Sequence, residues 1–182
     1  MNHSKTFNPY FFKWMQPVFT IVILFTGNIF LAQNFSTQTN NIRNSVIGEI
    51  NNTSVLFVSE LSTSLAAYTL TGKELWNYKI DTPSVIFEIL AEDINKDGND
   101  DLLAVAGNGI VYCINSDGSL LWEYTPDHKV RLSEIAVVKN GDKIQIFTGG
   151  NDNHLYELNE ERLQVSSTKI EGFVRKIEAG NF

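Results

Sequence analysis

Nine consecutive residues, Asp93-Ile94-Asn95-Lys96-Asp97-Gly98-Asn99-Asp100-Asp101, hold the densest chemistry in this chain. Oxygen-bearing side chains at alternate positions suit a hard cation such as Ca²⁺, and Gly98 permits the sharp turn that folds them round it. Asp93, Asn95 and Asp97 would offer side-chain oxygens, Asn99 a backbone carbonyl, and Asp101 a carboxylate acting directly or through water. The twelfth position, where a helix-loop-helix calcium site needs a bidentate Glu, is Ala104, and both flanks are strand-like, so the loop is not an EF-hand. Asp, Asn and Gly are also good turn residues, which leaves a plain polar hairpin loop as the alternative. Four carboxylates in nine residues repel one another without a cation, and that favours calcium in a rigidifying, non-catalytic role. Asn115-Ser116-Asp117-Gly118 and Asn151-Asp152-Asn153 read as hairpin turns.

Little else in the sequence could do chemistry. Cys113 is the one cysteine, so neither an intramolecular disulfide nor a dithiol redox site can form, and its place in Val111-Tyr112-Cys113-Ile114 predicts a buried thiol. The histidines His3, His128 and His154 are expected to form no ligand cluster, the last two being solvated in or beside turns. No Gly-rich phosphate loop or nucleophile elbow is present. The net charge of -7, with Lys and Arg unclustered, disfavours nucleic acid as a partner.

The elements that must position the loop repeat along the chain. Tyr68, Tyr112 and Tyr156 are spaced by 44 twice (112 − 68, 156 − 112). The first two are followed by Gly72 and Trp76 and by Gly118 and Trp122, while the third copy has neither Gly nor Trp. Each tyrosine is preceded by two β-branched or alternating runs, such as Val85 to Ile94 and Leu102 to Gly107. Four short strands per repeat of about 44 residues predict an all-β fold of four-stranded antiparallel β-propeller blades. Ile177 to Phe182 resembles Ile89 to Ile94, at an offset of 88. The predicted organisation is therefore three blades plus the first strand of a fourth over residues 46–182, an incomplete ring expected to continue in a longer protein.

Ahead of the blades, Lys5 and Lys13 precede the apolar run Val18 to Phe25, and a second short run ends at Ala32-Gln33. This pattern predicts a secretory signal peptide over 1–32, with a retained anchor as the alternative, then a polar linker over 33–45. The expected location is the periplasm, cell surface or extracellular space, with no membrane span after cleavage.

The stretch Tyr68-Thr69-Leu70-Thr71-Gly72-Lys73-Glu74-Leu75-Trp76 resembles the blade signature of the quinoprotein-like (PQQ-like) propeller family, and Asp93 to Asp101 is similar to the calcium loops of FG-GAP or VCBS-type repeats. The resemblance implies that Trp76 and Trp122 pack between neighbouring blades. It does not bring an enzyme with it, because the vicinal cysteine pair of the quinoprotein dehydrogenases is missing. The expected function is a non-catalytic binding or scaffold module for a protein or glycan partner. The alternative is the propeller portion of a secreted or periplasmic enzyme whose active residues lie beyond Phe182.

Overall fold

The computed structural model describes residues 42–61 and 64–178, and its strands form three four-stranded antiparallel sheets. The first holds β1 (Ile42–Ile50), β2 (Thr53–Glu60), β3 (Ser64–Thr69) and β4 (Glu74–Lys79). The second holds β5 (Ile86–Glu92), β6 (Asp101–Ala106), β7 (Val111–Ile114) and β8 (Leu120–Tyr124). The third holds β9 (Leu132–Asn140), β10 (Lys143–Gly150), β11 (His154–Asn159) and β12 (Gln164–Lys169). Every sheet is a meander in chain order, so the expected blades are present and the ring they belong to is unclosed. β1 takes in four residues assigned above to the linker, because Ile42, Asn44 and Ser45 pair with Glu60, Ser59 and Val58.

Strand pairing refines the repeat. Cys113 lies opposite Trp122 as Ala67 lies opposite Trp76, and Tyr112 faces Ala104 as Ala66 faces Val58. The equivalent of Tyr112 in the first blade is thus Ala66, a shift of 46 (112 − 66), whereas Tyr112 and Tyr156 are true equivalents 44 apart. The difference lies in one place. Glu92 pairs with Asp101 across nine positions, while Gly48 with Val55 and Val138 with Gln145 span seven. The Asp-rich loop is therefore a two-residue expansion of a turn that the other blades keep short.

The apolar residues form two inter-blade cores. Val55, Phe57, Leu65 and Ala67 of the first blade pack on Ile89, Leu102, Ala104 and Ile114 of the second. Leu103, Val105, Cys113 and Trp122 on the second blade's other side meet Ile135, Ile144, Ile146 and Leu158 of the third. Hence β6, covered on both faces, is buried throughout and reads as a continuous apolar run after Asp101, whereas β10 alternates. Burial pushes the Cys113 thiol pKa up, which keeps it an unreactive core residue.

The third blade preserves its outer turn without the Gly. Gly72 and Gly118 have φ of 88°, and Arg162 holds the same left-handed conformation at φ 64°. Ser166, opposite Glu157, stands where the other blades carry Trp. Beyond β12, Val174 N–H donates to Gly150 O at 2.9 Å and lays residues 173–178 beside β9 and β10 without strand pairing. The expected fourth-blade strand runs on into residues 179–182, which lie outside the described residues, as does the expected signal peptide. Among the described residues no helix is long and apolar enough to cross a membrane.

Candidate functional site

Lys96 and Gly98 both adopt positive φ, 63° and 87°, and coil the 93–101 loop on itself. Asp93 accepts the N–H of Asp97 at 3.1 Å and of Gly98 at 3.0 Å, and Asn95 Oδ1 accepts Asp97 N–H at 2.9 Å. Asn95 Nδ2 donates to Asp97 Oδ2 at 3.0 Å, so three of the five predicted ligand residues do converge. Desolvation raises the Asp97 pKa, but hydrogen bonds from Asn99 and Asn95 outweigh it and hold the carboxyl below its usual range.

Of the remaining two predicted residues, Asn99 donates its backbone N–H and its side-chain amide to Asp97 Oδ1 at 2.8 and 3.0 Å, whereas the Asp101 carboxylate turns inward. Asp101 is fully buried, and its carboxylate accepts N–H bonds from Ile94, Asn95 and Ser116 at 3.1, 3.2 and 3.2 Å. Burial pushes its pKa up to about 6 against the pull of those three donors. Asn99 Oδ1 reaches across to the first blade and accepts Asn51 N–H at 2.7 Å. Among the described residues no three His, Cys, Asp or Glu side chains come together closely enough to hold an ion by themselves. The donor set has the all-oxygen chemistry a hard cation takes; Asp97 Oδ1 and Asp101 Oδ2 each accept two N–H bonds, which leaves the other carboxylate oxygens and Asn95 Oδ1 with a spare lone pair.

What sequence reasoning missed is that the loop ties blades together. Asp100 N–H donates to Glu49 O and its carboxylate accepts Glu49 N–H, both at 2.8 Å, a two-way bond to the β1–β2 hairpin. On the other side Lys96 Nζ pairs with Glu160 of the third blade at 2.9 Å. One loop therefore touches all three sheets. Asp100 and Lys96 are charged residues off the alternating ligand pattern, but nothing in the sequence names their partners.

Trp76 docks as the resemblance implied. Its indole N–H donates to Ser116 O at 2.9 Å, and its ring lies over Gly118, where a Cβ would sit 2.7 Å from Trp76 Cβ and Cγ. Trp122 is buried at the next interface, but its N–H has no partner there. Arg162, at the Gly118 position of the third blade, carries the Cβ that Gly118 omits.

At the opposite end of the strands His128 and His154 both meet Asp152 beside their turns, without forming a metal-ligand cluster among the described residues. His128 Nε2 lies 3.0 Å from Asp152 Oδ2, and His154 Nδ1 lies 2.9 Å from Asp152 O. The Tyr156 hydroxyl donates to the same Asp152 carboxylate. The β8–β9 linker and the β10–β11 turn, 24 residues apart in sequence, meet here. Desolvation raises the Asp152 pKa, but hydrogen bonds from Tyr156, His128 and the His154 amide outweigh it and lower it. A carboxylate depressed in the folded state contributes stability above its unfolded pKa and loses it as pH falls through the folded value. Asp152→Asn is therefore expected to cost about 1–2 kcal/mol at pH 7. The gap from the parent should close on acidification below about pH 4, where unfolded Asp also protonates, as read by urea midpoints across pH.

Comparison with known proteins places these features. A family model described as the lambda-carrageenase beta-propeller domain matches residues 56–180. Lambda-carrageenase of Pseudoalteromonas carrageenovora is 33% identical over 109 residues, which is 60% of this chain and 11% of the relative. Lambda-carrageenase of a Pseudoalteromonas species is 32% identical over the same shares. The chain thus spans about a tenth of the length of these curated relatives. Among solved structures, BBS1N in complex with ARL6DN matches with a TM-score of 0.54 at 16% identity, covering 65% of this chain and 38% of that one. The Neurospora crassa Pan2 WD40 domain matches with a TM-score of 0.53 at 14% identity, covering 67% and 36%. At such identities these two show the propeller fold alone. The family match, running from within β2 past the end of the third blade, shows that the chain belongs to the lambda-carrageenase beta-propeller domain family.

Proposed function

We propose that this chain is an exported, non-catalytic propeller module that holds a protein or glycan partner, within a longer protein of the lambda-carrageenase kind. The observation that supports this reading is the family match together with the 11% share of the relatives' length: in those relatives the matched propeller is a small part of a larger architecture. Lys96, Asn99 and Asp100 of the 93–101 loop join the second blade to its neighbours, which suits a rigid display surface. Affinity electrophoresis of the chain through a gel containing lambda-carrageenan tests the glycan form: retardation that neutral agarose does not produce supports it. Equal mobility in both gels rejects the glycan and leaves a protein partner.

We further propose that the loop takes Ca²⁺ through Asp93, Asn95 and Asp97, with the Asn99 carbonyl and Asp101, the latter through water because its oxygens face N–H groups. The ion would supply charge neutralisation for the clustered carboxylates and would fix the inter-blade clasp. At a hundredfold excess over the dissociation constant the stabilisation is about 2.7 kcal/mol, a rise in Tm of roughly 5–10 °C at this chain length. Asp97→Ala should abolish the rise. No rise in Tm with Ca²⁺ would mean that the loop is a hydrogen-bonded turn and nothing more.

A further inference from the structure

The innermost strand of each blade carries a bulge at one equivalent position, and together these build a cationic mouth. Ile42 pairs with Glu60 and Asn44 with Ser59, which leaves Arg43 unpaired. Ile86 pairs with Ala106 and Glu88 with Val105, which leaves Phe87 unpaired. Glu134 pairs with Gly149 and Leu132 with Gly150, which leaves Ser133 unpaired. A bulge re-aims the side chain of its extra residue, and one repeated in three blades is a built feature rather than an accident of one strand.

Two of the re-aimed side chains, Arg43 and Phe87, meet, and Arg131, just ahead of β9, joins them. The Arg131 guanidinium sits 4.5 Å from the Phe87 ring centroid, and the Arg43 guanidinium lies 5.8 Å from the same ring. Two cations from two different blades thus share one aromatic ring. The backbone beneath them is fixed by side-chain bonds. Asn44 Nδ2 donates to Ile86 O and Phe87 O at 3.2 and 3.1 Å, and Arg131 N–H donates to Asn151 Oδ1 at 3.0 Å. Among the described residues no carboxylate lies within ion-pair distance of either guanidinium, although the chain has 21 Asp and Glu. On the inner strands Glu88, next to Phe87, accepts Ile135 N–H, Glu92 pairs with Lys139, and burial and Glu88 push the Glu134 carboxyl pKa up. Arg175, next to Val174 at this same end, is exposed, so three of the four arginines in the sequence stand here.

We propose that this mouth is an oxyanion-binding site, in which Arg43 and Arg131, flanking Phe87, take a sulfate, phosphate or carboxylate group of a ligand. A ring engages the face of a guanidinium and leaves its edge N–H donors free, and that edge matches two oxygens of an oxyanion. The site lies at the starts of β5 and β9, while the Asp-rich loop follows the end of β5 some 20 Å away, the length of a seven-residue strand. It depends neither on calcium nor on the identity of the module's partner.

The test is a titration of the full chain with sodium sulfate, sodium phosphate or sodium acetate at constant ionic strength in sodium chloride, followed by ¹H–¹⁵N spectra. The expected result is a saturable shift of the Arg43 and Arg131 side-chain Nε–H signals and of the amides around Phe87. The strongest of the three salts identifies the oxyanion. Arg43→Gln and Arg131→Gln should each weaken the response about tenfold. Arg162→Gln, at the far end of the blades, should leave it unchanged. Shifts that stay linear in all three salts, or that match sodium chloride, overturn the proposal. So does a saturable response that survives both substitutions or falls equally with Arg162→Gln.

Discussion

Gly150→Ala is expected to cost about 3 kcal/mol or more, the upper end of what overpacking produces. A Cβ on Gly150 would lie 1.9 Å from Arg131 O and 2.8 Å from its carbonyl carbon. Both are backbone atoms, so no side chain can swing aside. The closeness has a structural cause, because Gly150 pairs with Leu132 across the bulge at Ser133, and the bulged strand bends against it. The same substitution at Gly141 meets nothing within 4 Å and strains only a φ of 59°. Its expected cost is about 1 kcal/mol. Urea denaturation of the two variants separates contact from conformation. Equal midpoints would mean that the β9 bulge relaxes freely.

Trp76→Ala is expected to cost about 3 kcal/mol, the low end for removing a large ring, since Trp76 is half-buried. It fills the groove over Gly118 and lies 5.8 Å from the Phe57 ring, so its loss opens the interface between the first two blades. Phe at the same position keeps most of the ring and forfeits the bond to Ser116 O, at about 1 kcal/mol. Trp122→Phe makes the informative contrast: its indole N–H has no partner to lose, so the change should be close to neutral or stabilising. A loss at Trp122→Phe as large as at Trp76→Phe would show that the N–H bond is not what distinguishes the two sites.

The blades were legible because turn chemistry and strand composition agree locally. Gly72 and Gly118 mark left-handed turn positions, and the flanking runs are β-branched or aromatic. The tyrosine spacing misled in one frame. Tyr68 precedes its turn directly, at Thr69, whereas Tyr112 lies three residues before Asn115, and only backbone pairing separates the two cases. The loop itself was read as one chemical unit, and Asp93, Asn95 and Asp97 do converge. Its attachments to Glu49 and Glu160 were not legible, since they join residues 51 and 64 apart with no pattern linking them. The same limit hid the meeting of His128 with Asp152 and of Arg43 with Arg131 on Phe87. Such contacts are set by how blades stack, and single side chains with no periodic neighbours leave no trace of stacking.

The bond between the Asp-rich loop and the β1–β2 hairpin also orders events during synthesis. The first blade is complete at Lys79, but the groups that hold its hairpin, Asn99 and Asp100, emerge about 20 residues later. At roughly 5–20 residues per second that is a wait of about one to four seconds. Through that interval the amides of Glu49 and Asn51 lack their final acceptors. The first blade therefore matures on the arrival of the second, and the chain closes its blades from the front as a zip rather than as independent beads.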